Sequence, residues 1–175
     1  MAEKTIRLAG IVRESITDGP GIRFVVFCQG CPHHCQGCHN PETWDKCGGK
    51  DVSIDKILDA IDQNGLINGV TFSGGEPFEQ AEGFLALAQE VKKRNLNIMI
   101  YTGYLYEDLK AKEDPYVDQL IHMADYIVDG PFVLEQRDIS LKFRGSQNQR
   151  IIDVAETEKL ENSSEIMLAK EFMVC

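Results

Sequence analysis

The chain has 175 residues and a formal net charge of −10. That length suits one domain with a real core, and it falls short of the ~250 residues of a complete eight-fold β/α barrel. An acidic chain with no basic run argues against nucleic-acid binding, no apolar stretch nears the ~18 residues that suggest a membrane span, and Met1-Ala2-Glu3-Lys4 opens no signal peptide. In chain order, Thr5 to Val12 reads as an edge strand, followed by a tight turn at Gly19-Pro20-Gly21. Arg23 to Cys28 is a nearly continuous apolar run, the pattern of a strand buried on both faces. A cysteine-rich loop leaves its carboxyl end, and residues 45–51 read as a polar loop. Ser53 is a candidate N-cap for a helix from Ile54 to Gln63, with Ile54, Ile57, Leu58 and Ile61 on one face. Val70 to Phe72 is a short strand, and Pro77 suits the first turn of a helix running over Phe78 to Arg94. Leu96 to Tyr101 is a strand, Leu105 to Lys112 and Pro115 to Met123 are helical, and Tyr126 to Val128 is a strand ending at Asp129-Gly130-Pro131. Arg150 to Val154 is the last strand. The tail from Ala155 is charged, then helical around Ser164 to Phe172, and is expected to be peripheral to a single domain over 1–175.

Strands alternating with helices predict an α/β fold whose sheet of about five or six strands is mostly parallel. Too few to close, they make at most an incomplete barrel. Ligands of such folds sit at the carboxyl ends of the strands, where the cysteine loop, Ser73-Gly74-Gly75-Glu76, Thr102-Gly103 and Asp129 are expected to meet.

The strongest chemical signal is Cys28-Gln29-Gly30-Cys31-Pro32-His33-His34-Cys35-Gln36-Gly37-Cys38-His39, which holds four of the six cysteines. Clustered thiols fit metal binding in a reducing cytoplasm better than a disulfide framework. Three thiolates at Cys31, Cys35 and Cys38 can hold an iron–sulfur cluster, which normally takes four ligands, so one iron would stay open for chemistry. Zinc on Cys28, Cys31, Cys35 and Cys38 is awkward, because zinc sites usually place a longer loop between their two pairs. Cys28, at a strand end, reads as a small buried apolar residue. His33, His34 and His39 are competent metal ligands, although the loop already has its thiols, and they read as exposed polar residues. Asp129 either contacts a ligand or starts the turn that follows. Cys47 and Cys175 have no nameable partner.

Cys31-x3-Cys35-x2-Cys38 resembles the cluster motif of the radical S-adenosylmethionine (SAM) superfamily. Asp18-Gly19-Pro20-Gly21-Ile22-Arg23 before it and Cys38-His39-Asn40-Pro41 with Thr43-Trp44-Asp45 behind it resemble the activating enzymes of glycyl-radical enzymes. Tyr101-Thr102-Gly103-Tyr104, Asp129-Gly130-Pro131-Phe132 and Arg144-Gly145-Ser146-Gln147-Asn148-Gln149-Arg150 carry the likeness to activators of anaerobic (class III) ribonucleotide reductases, over about Ile6 to Val154. The resemblance implies a partial β/α barrel of radical SAM type. It implies a [4Fe–4S] cluster on Cys31, Cys35 and Cys38, with S-adenosyl-L-methionine chelating the fourth iron. Gly74, Gly75 and Glu76 would hold the methionine amino end, and the backbone at Gly37, Cys38 and His39 would lie against the cofactor. The expected reaction is reductive cleavage of SAM and hydrogen abstraction from a glycine of a partner protein, the anaerobic ribonucleotide reductase large subunit. The electron would come from a small donor protein such as a flavodoxin, in the cytoplasm. Many superfamily members carry an aromatic residue just before the third cysteine; Gly37 departs from that. Three alternatives stay open: an activator of another glycyl-radical enzyme such as pyruvate formate-lyase, a small-molecule radical SAM enzyme such as 7-carboxy-7-deazaguanine synthase, and an iron–sulfur electron carrier.

Overall fold

A computed structural model describes residues 3–160 and 165–173. Strand β1 (Thr5–Ser15) pairs antiparallel with β2 (Arg23–Cys28) on one side and with β3 (Lys50–Ser53) on the other. Next to β2 run β4 (Gly69–Gly74), β5 (Asn97–Tyr101) and β6 (Tyr126–Asp129), each parallel to its neighbour, and β7 (Arg150–Asp153) closes the series antiparallel to β6. The order β3-β1-β2-β4-β5-β6-β7 makes one open sheet of seven strands among the described residues.

The mixed α/β class stands, with three corrections. Thr5 to Val12 is no edge strand: β1 is longer and lies inside the sheet, because Lys50–Ser53 adds a strand where a polar loop was expected. That strand escapes the eye because its pairing is secured by Arg7, whose guanidinium reaches Asp51 at 3.0 Å and the Gly48 carbonyl at 2.7 Å, and not by apolar alternation. The sheet therefore has seven strands, not five or six, and only its centre is parallel.

Helices α1 (Ile54–Asp62), α2 (Ala81–Lys93), α3 (Tyr106–Ala111), α4 (Pro115–Met123) and α5 (Val154–Glu158) follow β3, β4, β5, α3 and β7. Ser53 caps α1, its Oγ accepting from the Lys56 N–H, and Asp114 caps α4. The segment after Pro77 is first a 3-10 turn, Pro77–Gln80, before α2 begins. One sheet face buries Phe24, Phe72, Ile98, Ile100 and Ile127 against the apolar stripes of α1, α2 and α4, each such side chain contributing about 1.5–3 kcal/mol.

The opposite face carries a buried cation. Arg23 is wholly inside, donating to Thr71 Oγ1, the Val70 and Pro20 carbonyls and Asn97 Oδ1. Burial lowers its pKa to about 10, with the nearby Asp125 carboxylate pulling the other way. Beside it Met99, Val128 and Ile151 are covered by the tail. The tail is thus not peripheral. The Asp153 N–H donates to the Met167 carbonyl at 2.9 Å and the Ala169 N–H to the Ile151 carbonyl at 2.8 Å. In α6 (Lys170–Met173), Phe172 sets its ring edge against Tyr126 and Phe143. Ser164, where the tail helix was expected to begin, and Cys175 lie outside the described residues.

A candidate cofactor site at the ends of the parallel strands

The parallel register brings Cys28 opposite Gly74, Phe72 opposite Ile100 and Tyr101 opposite Val128, so β2, β4, β5 and β6 end along one rim. Each rim segment is turned by a residue type its position demands. Gly74 has φ +92°, and a Cβ there would stand 2.6 Å from the Cys28 nitrogen. A Cβ on Gly75 would stand 2.3 Å from the Gly30 carbonyl oxygen. Both glycines therefore let the turn after β4 press backbone to backbone on the root of the cysteine loop. Two hydrogen bonds fasten it there: Gly75 N–H to the Cys28 carbonyl and Glu76 N–H to the Gly30 carbonyl, both 2.8 Å.

The loop itself is laced shut. The Gly30 N–H donates to the Thr43 carbonyl at 2.7 Å and the Cys31 N–H to the Trp44 carbonyl at 3.2 Å. Gln29 Nε2 ties the Glu42 and Asp45 carbonyls, and Trp44 stacks flat on His34 with ring centroids 4.7 Å apart. Within it Cys31, Cys35, Cys38 and His39 line an open cleft together with Ser73, Gly74, Gly75, Thr102, Gly103 and Phe132. The three thiols are partly exposed and free, and the Asn40 N–H donates to Cys38 Sγ at 3.4 Å. Burial, and behind it the charge of Glu76, pushes the Cys31 thiol up to about 11. An apolar groove bordered by β1, β3 and α1, lined by Leu8, Ile11, Val52 and Ile57, carries no thiol.

Six of the eight residues expected at the site thus line one cleft. Gly37 and Glu76 do not. The space a side chain at Gly37 would take is filled by Leu134 and Phe132, with Leu134 Cδ1 2.9 Å from the position of its Cβ. Glu76 lies below the floor. Its carboxylate is fully buried, with Oε1 accepting from Thr102 Oγ1 at 2.9 Å and the Phe78 N–H at 3.2 Å. Oε2 accepts from the Gly103 N–H at 2.9 Å and His33 Nε2 at 2.7 Å. A carboxylate has about four acceptor positions. All are taken from within, which corrects the expectation of a carboxylate presented to a ligand's ammonium.

The remaining candidates sort by environment. Cys28 is fully buried, and burial followed by the charge of Glu76 raises its thiol well above the usual range. It takes no part in lining the cleft where the other three thiols meet. His34 and His39 are exposed, as expected, whereas His33 turns inward, a placement sequence reasoning missed. Asp129 is consumed internally. It accepts from the Tyr106 N–H at 2.8 Å and pairs with Arg150, which also grips Glu107. The Arg144–Gln149 segment is tied down by its own side chains: Arg144 donates to the Gln147, Gln149 and Met173 carbonyls, and Asn148 and Gln149 donate to the Pro131 and Gly130 carbonyls.

This donor set fits a [4Fe–4S] cluster with one iron left open. Among the described residues no three His, Cys, Asp or Glu side chains converge on a position for a single metal ion. A cluster makes no such demand, since each thiolate binds a different iron.

Residues 17–152 match the family described as a 4Fe-4S single cluster domain. The chain is 37% identical over 144 residues to the anaerobic ribonucleoside-triphosphate reductase-activating protein of Vibrio cholerae, covering 78% of this chain and 90% of that protein. To the protein of the same name from Escherichia coli K12 it is 33% identical over 142 residues, 77% of this chain and 90% of that protein. The chain belongs to this family of radical SAM activating proteins. The pyruvate formate-lyase-activating enzyme of Clostridium pasteurianum is 36% identical over 130 residues, but only 54% of its length is covered. The activating-protein family works with a [4Fe–4S] cluster and S-adenosylmethionine. Among its described residues no helix is long and apolar enough to cross a membrane.

Proposed function

We propose that the chain activates an anaerobic ribonucleoside-triphosphate reductase by generating a glycyl radical on it. The observation that carries this is the loop of three partly exposed thiols at the rim of the parallel strands, in a chain that spans 90% of the Vibrio cholerae activating protein. Cys31, Cys35 and Cys38 would hold the [4Fe–4S] cluster, while Cys28 stays out of the ligand set. The backbone of Cys38, His39, Gly74 and Gly75 would lie against SAM, with Gly37 turning the loop behind them and Glu76 bracing that floor from beneath. When bound, this pair of cofactors supplies the one-electron reductive cleavage of SAM that leads to the radical on the partner glycine. The chain's own residues bind and orient; none has to serve as acid or base. Phe132 lines one side of the cleft, and the open sheet, read as an incomplete β/α barrel, leaves the other side to a loop of the partner. A small electron-donor protein such as a flavodoxin and a cytoplasmic location complete the reading.

The test is anaerobic reconstitution of the cluster, followed by SAM, a reductant and the reductase. A glycyl-radical paramagnetic signal on the reductase is expected. A signal on pyruvate formate-lyase and none on the reductase would reassign the partner. SAM left intact by a reduced cluster would leave only an electron carrier.

A further inference from the structure

His33 sits midway along the Cys31–Cys35 span, and three separate features fix its ring. Nε2 lies 2.7 Å from Glu76 Oε2, and the Glu76 side chain is fully buried while that of His33 is 17% exposed. The ring stands edge-on to Tyr104 at 4.5 Å between centroids, and Tyr104 is itself held by its hydroxyl donating to Glu79 and by Lys112 above its face. Finally, Gly103 is where the ring rests: a Cβ there would stand 2.4 Å from His33 Cδ2. A loop histidine with no task has no need of a buried carboxylate, a braced ring and a vacated side-chain position.

We infer that His33 is a positioning residue, pinning the first interligand span to the floor of the cleft and so fixing where the Cys31 and Cys35 thiols stand. The inference rests on the cluster assignment proposed above. Glu76 is the anchor. Because its other three acceptor positions are tied to the turn after β5 and to the 3-10 turn, the pin registers the cysteine loop against two neighbouring strand ends at once. Partners that orient metal ligands without touching the metal typically change metal affinity or activity ~10–100-fold when lost.

The experiment uses the cluster-loaded protein as wild type, His33→Ala, His33→Gln and Gly103→Ala. Glutamine offers an N–H donor the same number of bonds from Cα as histidine Nε2. Iron release to an excess of chelator is followed by the loss of visible absorbance, alongside thermal unfolding of the metal-free proteins. His33→Ala and Gly103→Ala are expected to release iron roughly tenfold or more faster than wild type. His33→Gln should recover most of the difference, and the release rates should not follow the order of the unfolding midpoints. Wild-type release from His33→Ala, or a Gln variant as labile as Ala, overturns the inference. So do release rates that follow the melting order. A wild type that takes up no cluster at all overturns the functional reading and this inference with it, whereas a stable wild-type cluster with equally stable variants overturns this inference alone.

Discussion

Glu76 draws donors from three places in the chain: Phe78 two residues on, Thr102 and Gly103 after the next strand, and His33 from the cysteine loop. Were Glu76 only complementing a helix dipole, its loss would cost about 0.3–1 kcal/mol. Orphaning several buried donors costs more, so Glu76→Ala should lower stability by about 2–4 kcal/mol in chemical denaturation of the metal-free protein. A loss below 1 kcal/mol would return it to the minor role. The cysteines separate along the same line. Cys28 is buried with its thiol held protonated, and Cys47 is exposed. In the folded, metal-free protein iodoacetamide should alkylate Cys47 readily and leave Cys28 unmodified on peptide mass mapping. Cys28→Ala should load as much iron as wild type, whereas Cys31→Ala, Cys35→Ala and Cys38→Ala should each lose SAM cleavage. An iron-poor Cys28→Ala would put that sulfur among the ligands. The cysteine spacing was legible because its geometry is local, three thiols within eight residues. The destiny of Glu76 was not, because its carboxylate is filled by groups 26, 27 and 43 residues away, and only strand pairing brings them together.

At the scale of elements, sequence pattern worked where burial is two-sided or amphipathic. β2, α1 and α4 carry apolar runs or stripes, and each lies where the pattern placed it. It failed at β3, whose Lys50-Asp51-Val52-Ser53 holds its place through an ion pair with Arg7 that no periodicity records. A second long-range tie joins β7 to α3: Arg150 donates to Glu107 and to Asp129. Its hydrogen bond holds the Glu107 carboxyl below the ordinary value of 4.5. A depressed pKa contributes stability above that ordinary value and loses it as pH falls through the folded value. Glu107→Gln should therefore lower the neutral plateau and flatten the acid limb, so that the two profiles converge as pH falls below about 4.5. Denaturant midpoints measured across that range decide it. Parallel acid limbs in the two proteins would mean that the pair contributes nothing.

Across the whole molecule the sheet separates two cores. The larger is packed by α1, α2 and α4; the smaller, around Met99, Val128 and Ile151, is covered by Phe143 and by the segment around Ala169 and Phe172. Phe172 meets Tyr126 and Phe143 edge-on at 5.3 and 5.4 Å. Phe172→Ala should cost about 2–4 kcal/mol in denaturant unfolding, and a cost under 0.5 kcal/mol would show the cover to be dispensable. This arrangement sets an order in time. A ribosome makes every strand of the sheet before it makes the residues that shield one side of it. During that interval Met99, Val128 and Ile151 lie less covered, an apolar surface that invites capture by chaperones or by other nascent chains. Truncation before Ala169 should therefore harm this protein more through its solubility than through the chemistry of its cysteines.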